Sequence, residues 1–85
     1  MDHLHFEVTL RSSGSVRVEL DQQSNVRVMS DSEYRSYCRG GSHRYHGGFY
    51  TRSPAIIPIP SGGRWHVAVD LGDRSGRVSA RVSAF

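Results

Sequence analysis

Apolar residues recur at every second position along most of this chain, and that period limits the fold more than any other feature. Leu4, Phe6, Val8 and Leu10 alternate with His3, His5, Glu7, Thr9 and Arg11. Val16, Val18 and Leu20 alternate with Arg17, Glu19 and Asp21, and Val26 and Val28 flank Arg27. Side chains of a strand point to opposite faces in turn, so each segment predicts a strand with one buried and one wet face. Ser12-Ser13-Gly14-Ser15 and Asp21-Gln22-Gln23-Ser24-Asn25 have the polar composition of hairpin or short-loop links between them.

The second half repeats the pattern. Ala55, Ile57 and Ile59 alternate with Ile56, Pro58 and Pro60, which predicts an edge strand, because proline cannot donate to a neighbour on both sides. Trp65, Val67, Val69 and Leu71 then point one way, with Arg64, His66, Ala68 and Asp70 the other. Gly72-Asp73-Arg74-Ser75-Gly76 reads as a hairpin returning the chain through Val78, Ala80, Val82 and Ala84. A single helix is expected after Asp31-Ser32-Glu33, with Ser30 or Asp31 as its cap and Arg39-Gly40-Gly41 as its stop. Tyr34, Tyr37 and Cys38 share one face of it, so this short helix should lie across one end of the sheet with Cys38 buried beneath. The expected architecture is all-β: one domain over residues 1–85, a small antiparallel sandwich or partly closed barrel of six to seven strands.

A chain of 85 residues with a single cysteine cannot close an internal disulfide, so its stability must come from packing. The free Cys38 and the lack of a signal-like N-terminus lead to a cytoplasmic expectation. No apolar run approaches the ~18 residues of a membrane-spanning helix, so no membrane partner is expected.

The net charge of +3 is unevenly spread. Residues 1–33 carry six acids against three arginines, whereas no acid occurs between Glu33 and Asp70. That acid-free window holds Arg35, Arg39, Arg44, Arg52 and Arg64 together with Tyr34, Tyr37, Tyr45, Phe49, Tyr50 and Trp65. Guanidinium groups pair with oxyanions and stack on rings, so Arg39, Arg44 and Arg52 with Tyr45, Phe49 and Tyr50 form the candidate ligand-binding set. Three uses of this set stay open at this level. It could be a protein interface, a surface for an anion, nucleotide or nucleic acid, or a minor core that arginines solvate.

Catalytic and metal chemistry are less well served. No spacing selects a nucleophile beside a base, and His66 and Asp70, four apart on one strand, stand roughly 13 Å apart. Cys38, His43 and His46 fall one ligand short of a structural zinc set, with His3, His5 and His66 remote in sequence. His3 and His5 read as solvent-facing strand positions. No phosphate-binding loop is present, because Arg39-Gly40-Gly41-Ser42 lacks the lysine and the following helix. No catalytic residue, metal or cofactor is expected.

Several motifs occur together in order: Asn25-Val26-Arg27-Val28-Met29 with Asp31-Ser32, Tyr37-x-Arg39-Gly40, His43-Arg44-Tyr45-His46-Gly47-Gly48, Thr51-Arg52-Ser53-Pro54 and Ser61-Gly62-Gly63-Arg64-Trp65-His66-Val67. In these the chain resembles a family of small bacterial all-β domains catalogued as domain of unknown function 1883. The resemblance runs over nearly the whole chain. It implies a sensing or adaptor role, since members stand alone or beside TIR-type effector domains, and it supplies no catalytic residues. The position of His46 resembles one that is commonly Tyr in relatives, which argues against a metal ligand there. The functional expectation is a non-catalytic binding module with an unidentified protein partner foremost, and an anion or nucleic acid as the alternative.

Overall fold

Six alternating segments and the glycine-containing residues 46–50 form the seven strands of the described residues: β1 (Leu4–Leu10), β2 (Gly14–Leu20), β3 (Ser24–Met29), β4 (His46–Tyr50), β5 (Ala55–Ile59), β6 (Gly63–Asp70) and β7 (Ala80–Ala84). One helix, α1 (Asp31–Cys38), stands between β3 and β4. The structure, a computed structural model, describes residues 3–85. Its strands make two antiparallel sheets, ordered β1-β6-β3-β4 and β5-β2-β7. The sheets face each other as a sandwich, and neither closes into a barrel.

The inward halves of the period-two pattern fill the space between the sheets. Val16 and Val18 of β2, Ala55, Ile57 and Ile59 of β5, Val26 and Val28 of β3 and Val67 and Val69 of β6 form one buried cluster with Leu10. Phe6, Val8, Tyr50, Trp65 and Val82 pack around its margin. Burying such side chains is worth ~1.5–3 kcal/mol each, so this cluster carries most of the favourable free energy. β5 is an edge strand, as its prolines require.

The connections depart from expectation. β7 pairs with β2, in register Val18↔Val82, and not with β6, so residues 71–79 are not a hairpin. Every link except β3–α1–β4 passes from one sheet to the other. The links at 11–13, 21–23 and 60–62 are three residues long, enough to cross the ~10 Å between packed sheets. Alternation tells which side chains face inward, but both sheets offer an inward face, so it does not choose the neighbour.

The helix also sits elsewhere than expected. Ser30 caps it, its side chain accepting from the Glu33 amide. α1 then lies on the outer face of the four-stranded sheet over β6 and β3, not across an end. Tyr37 is its buried residue, packed on Met29 and Ala68, while Cys38 is exposed and so is not the buried residue its helical spacing suggested. Eight residues touch the sheet along one line only, and Cys38 lies off it.

Candidate functional site

The outer face of the four-stranded sheet carries the polar chemistry of the molecule. Because α1 covers β6, the residues His66, Ala68 and Asp70, expected to face water, are all buried. Asp70 is the centre of one network. Its Oδ2 accepts from the Tyr37 hydroxyl at 2.7 Å and from Arg27 Nη1 at 2.6 Å. Its Oδ1 accepts from Asn25 Nδ2 at 3.0 Å and from the Gly72 amide at 2.8 Å. Burial alone would raise the Asp70 pKa, but the bonds from Tyr37, Asn25 and Gly72 and the Arg27 charge outweigh it and hold the carboxyl below its usual range. Burial and the bond to Asp70 push the Tyr37 phenol up. Arg27 is held in turn between rings, 5.4 Å from the Tyr37 centroid and 5.2 Å from that of Tyr45.

A second cluster lies toward the β1 edge. His5 and Glu7 project from the outer face of β1, and Glu7 stands opposite His66 in the β1–β6 register. His5 Nε2 and His66 Nδ1 meet at 2.8 Å, and His66 Nε2 bonds Asp31 at the start of α1. A carboxylate only accepts, so His66 donates from Nε2, and in the neutral imidazole Nδ1 is then the acceptor for His5. The Tyr34 ring stacks on both imidazoles, with centroids 4.2 Å from His5 and 4.8 Å from His66. Desolvation, with the neighbouring His66, lowers the His5 pKa. The hydrogen bonds from His66 and Arg64 lower that of Asp31. The Tyr34 phenol is pushed up to about 12 by burial.

The residues singled out in the sequence flank β4, the other edge of the same sheet. Arg39 is exposed at the C-cap of α1. Arg44 is exposed in the following loop, where its amide donates to Glu33 at 2.8 Å. With Tyr45, His46, Trp65, Val28 and Glu33 it lines an open groove of about 430 Å³. Arg52 is exposed in the link after β4. Among the described residues, none of these three guanidinium groups enters an ion pair. Tyr45 and Phe49 are exposed by 43% and 53%, whereas Tyr50 turns inward against the core. Phe49 lies on the outer face with the Arg74 guanidinium 5.6 Å from its centroid.

Arg44 and Tyr45 therefore share a groove, and Arg52 does not reach it. The five residues of β4 alone hold its ends about 13 Å apart, with Arg44 and Arg52 beyond opposite ends. That spacing cannot close three guanidinium groups on one phosphate.

The Asp70 network and the His5–His66 pair were not legible as sites from the sequence. One signal pointed to them: β6 is a central strand whose small Ala68 sits between two titratable residues. Small residues on a sheet face leave room for a covering helix, and α1 occupies that room.

Among the described residues no helix is long and apolar enough to cross a membrane. No curated protein and no solved structure matches the chain. One family model does, that of a domain of unknown function, DUF1883, and it matches residues 1–85. The seven-stranded sandwich with its outer helix therefore belongs to the DUF1883 family.

Proposed function

We propose that this domain is a non-catalytic protein-interaction module that receives an extended, acidic segment of a partner along the open edge of β4. One observation carries the reading. β4 ends its sheet with an unpaired edge, presents Phe49, and has beyond both of its ends arginines that enter no ion pair among the described residues. An unpaired edge offers a row of backbone donors and acceptors to an added strand, and alternate side chains then decide which strand is taken. β5, the edge strand of the second sheet beside β4, is less suited, since Pro58 removes a donor.

The alternative, a nucleotide or single-stranded nucleic acid, asks for free ring faces and converging oxyanion donors. Arg74 lies over Phe49, Arg27 lies over Tyr45, and Tyr50 is turned inward, so the aromatic set supports it less well. The reducing cytoplasm fits the exposed, unpaired Cys38 as the place of action.

Selection from a displayed random heptapeptide library tests the proposal. The expected peptides are rich in Asp and Glu alternating with β-branched residues. They should slow hydrogen exchange at the amides of residues 46–50, and their binding should fail with Phe49→Ala. Protection that maps to β5 or to the loops alone would overturn the reading. So would saturable binding of oligothymidine with a salt slope of about −0.7 per phosphate contact and loss in Arg44→Ala.

A further inference from the structure

We propose that His5, Glu7 and His66 form a binding site for one divalent first-row metal ion of the zinc class. The site lies at the β1 edge, away from β4, and stands independently of the peptide-binding reading. His5 and Glu7 are two apart on β1, so both leave the same face of the sheet, and His66 rises beside them from β6. One ring nitrogen each of His5 and His66 and a Glu7 carboxylate oxygen all lie within 4.8 Å of one another. His5 Nε2 is 2.8 Å from His66 Nδ1, and Glu7 Oε1 is 3.8 Å from the same nitrogen.

Those spacings suit one ion. Zinc bonds of ~2.0–2.2 Å at tetrahedral angles put ligand atoms about 3.3 Å apart. His66 is the buried member, His5 is oriented by its stack on Tyr34, and Glu7 is exposed and able to adjust by rotation. The surroundings have the form that orients a metal-binding imidazole. Asp31 holds the far nitrogen of His66, so that in the neutral ring Nδ1 is the nitrogen that offers its lone pair. Tyr34 stacks on both rings and keeps their planes within 14° of each other.

The balance of protons and charge is simple. The ion replaces the N–H···N bond when the His5 proton moves from Nε2 to Nδ1, so both imidazoles stay neutral. Glu7 in the ligand set brings one negative charge against the dication, while Asp31 behind His66 is shared with Arg64. Two nitrogens and one carboxylate suit zinc, nickel or cobalt, whereas calcium and magnesium require mainly oxygen ligands. Three protein ligands leave further coordination positions open to water or a ligand.

The test uses untagged, chelator-stripped protein titrated with zinc and, separately, with cobalt. Zinc at about 100 times its dissociation constant should raise the melting temperature by roughly 10 °C, and calcium should not. Cobalt should give one equivalent of a visible absorption band. Glu7→Gln alters an exposed side chain and should melt as the metal-free parent does. His5→Ala gives up the Tyr34 stack and the His66 bond and is compared with its own metal-free form. Each should lose both the shift and the band. Cys38→Ser should keep both. Absence of a shift in the parent, persistence of the band in His5→Ala, or its loss in Cys38→Ser would each overturn the assignment.

Discussion

Asp70 shows how one side chain turns a polar sheet face into a packed one. Its carboxylate is almost wholly buried and gathers four donors drawn from β3, α1 and the β6–β7 link. Removing the charge while keeping the shape, by Asp70→Asn, leaves Arg27 with no counter-charge among rings. Breaking a buried pair of this kind costs ~3 kcal/mol, so the urea midpoint at neutral pH should fall accordingly. The folded-state pKa of Asp70 lies below its unfolded value of about 3.9. Its contribution is therefore complete above that value and is lost as pH falls through the folded one. The stability gap between parent and Asp70→Asn should stay constant from neutral pH down to about 4 and narrow below it. A gap that ignores pH would show that Asp70 acts through shape and not through charge.

β4 is the element on which the proposed function rests, and two adjacent glycines divide its duties. Gly47 has φ +125°, and a Cβ there would lie 2.2 Å from the Val26 carbonyl oxygen, so the side chain must be absent for β3 and β4 to pair. Gly48 has open space around it. Gly47→Ala should therefore cost about 1–3 kcal/mol, and Gly48→Ala should stay within ~0.5 kcal/mol of the parent by chemical denaturation. Equal effects would mean that β4 is not held in this register. The same strand marks the limit of sequence reading. Alternation made β1, β2, β3, β5 and the inward face of β6 plain, because a half-buried strand writes its burial directly into its residues. It says nothing of Gly47 and Gly48, since glycine carries no face. Alternation placed His66 and Asp70 on a wet face and helical spacing placed Cys38 inside, whereas the burial of all three depends on where an eight-residue helix settles. That depends on contacts between elements distant in sequence, such as Tyr37 with Asp70, which no local period records.

At the scale of the whole molecule, folding redistributes the charge asymmetry of the chain. Acids of residues 1–33 meet arginines from within and beyond that stretch: Glu19 reaches Arg17 and Arg81, and Asp31 reaches Arg64, while Arg27 meets Asp70. Arg39, Arg44 and Arg52 keep uncompensated charge around β4, at the edge opposite the histidine cluster. Exposed charges at the rim of an interface steer approach and are screened over ~8 Å at physiological salt, whereas a central apolar anchor governs how long the complex lasts. The two roles separate in kinetics. Arg44→Gln combined with Arg52→Gln should slow association of a selected acidic peptide about tenfold at low salt, and the deficit should vanish in high salt. Phe49→Ala should leave association nearly unchanged and speed dissociation, because its half-exposed ring is the apolar contact the added strand would cover. Stopped-flow traces at two ionic strengths distinguish these outcomes. If the arginine variant instead shortens the complex without slowing its formation, those guanidinium groups bind the partner directly, and the edge strand is not the principal contact.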